Sequence, residues 1–158
     1  MGFKKTEQIM DIFNDAVGAI TKQISGLWPQ PTEKPQLVNG KLRPCPGTPN
    51  CVSSENNNPL FHVAPITFNT TPESAWVTLK QIIIEQGGTI QDEGKEYIWS
   101  TFTVSLFGFI DDVEFRLSAT EKMIHVRSSS RLGISDLGVN RGRVEQLRTL
   151  FHKASDNH

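Results

Sequence analysis

From Phe61 onward apolar residues recur with regular periods, and those periods predict most of the fold. Ala64, Ile66 and Phe68 alternate as a strand, with Pro65 marking an edge. Thr71, Pro72 and Glu73 make a helix start: a capping hydroxyl, a proline in the first turn, then an acid. Trp76, Leu79 and Ile83 give that helix an apolar stripe, and Gly87 and Gly88 end it. Two strands follow, over residues 89–91 and 97–106, joined by a turn at Glu93 and Gly94. In the second, Ile98, Phe102, Val104 and Leu106 alternate with polar positions, although Trp99 and Ser100 blur the pattern.

Residues 112–117 alternate polar and apolar strictly, and the alternation resumes from Met123 through Val126. A turn at Thr120 and Glu121 sets Leu117 opposite Ile124, Phe115 opposite Val126 and Glu114 opposite Arg127. A slip of one residue would oppose apolar to polar side chains along the whole ladder, so this register is favoured. The hairpin has a second, charged face: Asp112, Glu114, Arg116, His125, Arg127, Ser129 and Arg131. That face is expected to meet solvent, or else to line a groove. A last helix runs over about residues 140–153, with Val144, Leu147 and Phe151 as its stripe. The apolar run from Leu106 to Ile110 reads as core strand, with a partner-binding patch as the alternative.

Before Phe61 the pattern differs. Ile9, Phe13, Ala16, Ile20, Ile24 and Leu27 recur at helical spacing, and Gly18 and Gly26 each weaken that helix by ~1 kcal/mol. It packs on its own domain or on a second copy, or lies on a membrane surface, with Trp28 at one end and Lys4 and Lys5 at the other. Met1 to Thr6 also fits the short myristoylation pattern. Seven of the nine prolines then fall between Pro29 and Pro59, which discourages regular structure. Residues 29–41 read as a linker, and the turn-rich stretch after Leu42 as a stiff loop. The organisation expected is an N-terminal amphipathic helix over residues 1–28, the proline-rich linker, and one domain over 42–154. That domain is α+β: a four- to five-stranded, mainly antiparallel sheet with two helices on one face.

Composition narrows the function. The chain has 158 residues, with 16 basic against 17 acidic side chains, which argues against a nucleic-acid coat. No segment has the roughly 20 apolar residues needed to span a bilayer. Asp11, Asn14 and Asp15 interrupt any secretory signal, so a cytoplasmic location is expected, with peripheral membrane attachment left open. The two cysteines, Cys45 and Cys51, fit neither a redox C-x-x-C nor a zinc knuckle. A disulfide, a reduced structural pair, and a metal-binding or catalytic thiol all remain open. No metal or cofactor motif is present.

Charge is uneven along the chain. Residues 123–158 carry six basic and three acidic groups, whereas residues 1–122 carry ten and fourteen. Arg141 and Arg143 stand in the first turn of the last helix, where the helix dipole disfavours cations by ~0.3–1 kcal/mol. They are offset either by Asp136, Asp111 or Asp112, or by a bound anion. If the turn through Ser135 and Asp136 folds back, Arg131 and Arg141 converge, with Asn140 capping the helix.

Three stretches taken together resemble the bacterial and chloroplast family of domains of unknown function numbered 1499. They are residues 42–54 around Cys45 and Cys51, residues 108–116 around Asp111 and Asp112, and residues 124–148 from Ile124 to Arg148. The resemblance covers about residues 42–152 and agrees with the α+β expectation; it implies no particular chemistry. Many relatives look exported or lipid-anchored, and this chain departs from them in lacking a secretory signal.

The leading functional reading is a non-enzymatic binding domain for an anionic small molecule or a protein partner. Its candidate residues are Arg127, Ser129, Arg131, Ser135, Asp136, Asn140 and Arg141, beside the Cys45 and Cys51 loop. A thiol- or serine-dependent hydrolase is the first alternative, weakened by the lack of a nucleophile–base motif. A structural or assembly factor tethered through residues 3–28 is the second.

Overall fold

The computed structural model describes residues 34–104, 108–131 and 138–156. The expected N-terminal helix lies outside them, as do Ser135 and Asp136.

Among the described residues six strands and two helices follow in chain order: β1 (Cys51–Ser53), β2 (Ile66–Thr67), α1 (Pro72–Glu85), β3 (Thr89–Glu93), β4 (Tyr97–Val104), β5 (Phe109–Ser118), β6 (Met123–Ser130) and α2 (Val139–Ser155). They form one antiparallel sheet in the order β1-β6-β5-β4-β3, with β2 also pairing on β6. The strand count exceeds the expected four to five. Cys51–Ser53, which the turn formers around it disguise as loop, pairs with Arg127, Ser128 and Ser129 of β6. The stretch after it doubles back, so that Ser53 N–H donates to Phe61 O at 2.8 Å and covers the outer side of β1.

The β5–β6 hairpin has the expected register: Leu117 faces Ile124, Phe115 faces Val126, and Glu114 faces Arg127. Thr71 caps α1 by accepting the Ser74 N–H at 3.2 Å, and Pro72 occupies its first turn. Trp76, Leu79 and Ile83 of α1 and Val144, Leu147 and Phe151 of α2 bury their stripes against Ile98, Val113, Phe115, Ile124 and Val126. Ser100 interrupts the apolar pattern of β4 but still points into this core, where its hydroxyl donates to Val113 O at 3.1 Å. The chain passes from α1 to β3 through Gly88, where a Cβ would lie 2.6 Å from the Phe102 ring. In β3 the pairing with β4 shifts between Ile90 and Asp92, a bulge in the strand that ends the sheet order.

The charged face of the hairpin departs from expectation: it is covered instead of solvated. Asp112, Glu114, His125 and Arg127 are all buried. The cover is the segment before β1. Lys34 pairs with Asp92 on β3 at 2.8 Å, Leu42 is buried, Arg43 lies 3.8 Å from Glu114, and Cys45 is bonded to Cys51. The sheet therefore has an apolar face under the helices and a polar face under a proline-rich strap.

Candidate functional site

Period-two alternation puts Tyr97 and Trp99 of β4, Asp112, Glu114 and Arg116 of β5, and His125, Arg127 and Ser129 of β6 on the polar face. Cys51 and Ser53 of β1 extend it. A carboxylate taken out of water needs nearly all its acceptor sites filled, and the acids here meet that demand. Asp112 accepts from Trp99 Nε1 at 2.9 Å, and from Arg131 through Nε and Nη2, both at 3.0 Å. Glu114 accepts from Tyr97 Oη and Arg127 Nη1, both at 2.8 Å. Arg116 Nη2 donates to Glu55 Oε1 at 2.7 Å.

Glu114 serves two guanidiniums, since Arg43 Nη2 is also 3.8 Å from its Oε2. Both Arg43 Nε and Arg127 Nε are buried, with no acceptor among the described residues. Burial pushes the Arg127 guanidinium below its ordinary range; Glu114 opposes that shift and the Arg43 charge adds to it. Burial also raises the Tyr97 phenol, and the Glu114 charge raises it further, so Tyr97 stays a donor. The Arg43 side chain keeps 31% of its surface exposed, against 8% for Arg127. Ser129 is half-buried, and among the described residues its hydroxyl bonds no side chain.

The residues singled out from the sequence are distributed over two places. Arg127, Ser129 and Arg131 share the polar face beside the Cys45–Cys51 disulfide, whose Cα atoms are 5.6 Å apart. The bond leaves neither sulfur as a thiolate, which removes the metal and thiol-nucleophile readings of that pair. Arg141 and Asn140 lie on α2 with other partners. Arg141 donates to His62 O at 2.8 Å and Leu60 O at 2.9 Å. Asn140 does not cap α2: Gly138 holds that position at φ +84°, with no side-chain cap bond. Asn140 is buried instead, accepting from the Ser128 hydroxyl and donating through Nδ2 to Asn50 O at 3.2 Å. Arg143 is offset by Asp111, which its Nη1 reaches at 2.7 Å.

Three contributors escaped the sequence reading. Tyr97 and Trp99 could have been found by extending the hairpin's alternation one strand further. Arg43 could not, because the strap that carries it has no period.

A second group lies at the end of the same face. Ser54 Oγ and His125 Nδ1 are 3.3 Å apart, and His125 Nε2 is 3.0 Å from Glu121 Oε2. These residues line a cavity of about 460 Å³ with Lys41, Asn56 and Arg116.

Among the described residues no helix is long and apolar enough to cross a membrane. The family model described as a protein of unknown function, DUF1499, matches residues 41–151. No curated protein and no solved structure matches the chain.

Proposed function

This chain belongs to the DUF1499 family, and from its polar face we propose that it is a binding domain for an anionic group carried by a small molecule or a protein partner. The site is the ground between the disulfide and Arg43, with Arg43, Arg127, Ser129 and Arg131 as its polar wall. One observation carries the reading: Arg43 and Arg127 share the single carboxylate of Glu114, and each keeps a buried Nε with no acceptor among the described residues. An anion beside them meets a surplus positive charge, the partly exposed Arg43 side chain and the Ser129 hydroxyl, which bonds no side chain among the described residues. Arg131 contributes position more than charge, since Asp112 already neutralises it. No reacting group belongs to this wall. The disulfide also sits poorly with the cytoplasmic location expected from the sequence, because thiols there are kept reduced.

The test is a thermal-shift titration of the full chain with inorganic phosphate, sulfate and citrate at constant ionic strength, for wild type and Arg43→Ala. Binding to the folded state raises stability by ~2.7 kcal/mol when the anion is at 100 times its Kd. One or more of these anions should raise the wild-type Tm above the chloride control, and Arg43→Ala should remove the increment. No anion-specific increment in wild type would overturn the proposal.

A further inference from the structure

We propose that Ser54, His125 and Glu121 form a nucleophile, base and orienting acid that transfer acyl groups from small esters entering the adjoining cavity. The inference stands apart from the anion site, because it rests on different residues.

Ser54 follows directly on β1, and its place is fixed from two sides. Its N–H donates to Val126 O at 2.9 Å, and its Oγ accepts the Val126 N–H at 2.9 Å. An Oγ that already accepts a backbone N–H directs its own proton elsewhere, and His125 Nδ1 is the ring nitrogen within reach at 3.3 Å. The other ring nitrogen faces Glu121 Oε2 at 3.0 Å. The His125 bond, then that from Ser118, pulls the Glu121 carboxyl below its ordinary range, so it is an acceptor near neutral pH. Nε2 therefore carries the imidazole proton and Nδ1 presents its lone pair to the serine. Arg116, 3.8 Å from Glu121, Glu55, bound to Arg116, and Lys41, which lines the same cavity, are other charges around this group.

A serine that only closed the β1–β6 ladder would need Val126 alone. Here Ser54 lines an open cavity and its hydroxyl has a histidine within reach, the arrangement that activates an otherwise weak nucleophile. In the first step Ser54 Oγ attacks the ester carbonyl carbon and passes its proton to His125 Nδ1. The bond from that carbon to the alcohol oxygen then breaks, and the departing oxygen takes the proton from His125. The acyl group is left on Ser54. Water, deprotonated by the same nitrogen, attacks it, releasing the carboxylic acid and restoring the hydroxyl. Lys41, Arg116, Glu55 and Glu121 all line the cavity, so its formal charges balance.

The full chain is incubated with a small alkyl fluorophosphonate and, separately, with p-nitrophenyl acetate, and adducts are located by peptide mass spectrometry. The expected result is an adduct on Ser54, formed at least about 100-fold more slowly in His125→Gln. Glu121→Gln should keep the adduct but displace the acid limb of its rate against pH; an unmoved limb would overturn the orienting role of Glu121. Because Ser54→Ala loses the Val126 bond and can fail to fold, adduct mapping on wild type and the His125→Gln rate decide the matter. Absence of a Ser54 adduct, or an undiminished rate in His125→Gln, would overturn the proposal.

Discussion

Arg116 and Glu55 stand 61 positions apart in the chain and meet at 2.7 Å, fastening the loop after β1 to the central strand β5. The same carboxylate accepts the Leu42 N–H at 2.7 Å, so a single side chain also anchors the strap over the polar face. Burial by itself would raise the Glu55 carboxyl. The Arg116 bond, the Leu42 N–H and the Arg116 charge outweigh burial and hold it below the usual carboxylate range.

A carboxyl depressed in the folded state stabilises that state above its unfolded pKa, and the contribution drains away as pH falls through the folded value. Glu55→Gln should therefore cost about 3 kcal/mol at neutral pH. The gap between wild type and variant should close as pH drops below the ordinary carboxylate range. Urea denaturation at a series of pH values measures it; a gap indifferent to pH would show that the charge is not its source.

Asp111 is fully buried and depends on Arg143, whose guanidinium also lies 5.1 Å from the Phe102 ring centre. Arg143→Ala strands that carboxylate and should cost about 3–5 kcal/mol. Arg143→Lys restores the charge without the planar fork and should fall between the two. Denaturant midpoints of the three proteins check the order.

Reducing the Cys45–Cys51 bond frees a short loop, because the two residues are only six positions apart. Chain entropy assigns such a loop about 2 kcal/mol. Cys51→Ser and reductant-treated wild type should lose that amount alike, and reductant should do nothing further to the variant. A larger loss would mean that the strap leaves the polar face when the bond opens.

Gly88 is needed for space and not for backbone angle. A methyl there would lie 2.6 Å from Phe102 Cζ, 2.8 Å from Ile83 Cγ2 and 2.9 Å from Ile83 O. The two side chains are core residues and cannot withdraw freely, so Gly88→Ala should cost about 1–3 kcal/mol in thermal or urea unfolding.

A chain shortened to begin at Leu42 should keep one cooperative thermal transition. Among the described residues it forfeits the exposed Lys34–Asp92 pair, the buried Pro35 and the small turn between Val38 and Lys41. An exposed pair contributes at most about 1 kcal/mol. Calorimetry decides it, and a broadened, non-cooperative melt would place residues before 42 in the folding unit.

The parts of the fold that were legible are those where side-chain period carries the information. Strict alternation in β5 and β6 allows one register, and Thr71 with Pro72 allows one helix start. Alternation alone, however, cannot tell a charged face in water from a charged face under a cover. The strap that buries Glu114 has no period, and it docks through isolated bonds such as Leu42 to Glu55 and Asn50 to Ser130. The candidate site divides in the same way. Arg127, Ser129 and Arg131 share a face because they are two apart on one strand. Arg141 bonds His62 O and Leu60 O, partners 79 and 81 positions away that no local pattern encodes. Ser54, His125 and Glu121 form no sequence motif, since only the pairing of β1 with β6 and the hairpin turn bring them together.

The bulge between Ile90 and Asp92 bears on how copies of this protein behave when crowded. A straight, flat outer strand offers a row of unpaired N–H and C=O groups on which a neighbour can continue the sheet. β3 is short and interrupted, and Asp92 and Glu93 at its end are paired with Lys34 and Lys80. A second β3 approaching edge to edge would meet a kinked ladder flanked by charged side chains. Growth of the sheet from molecule to molecule is discouraged on that side.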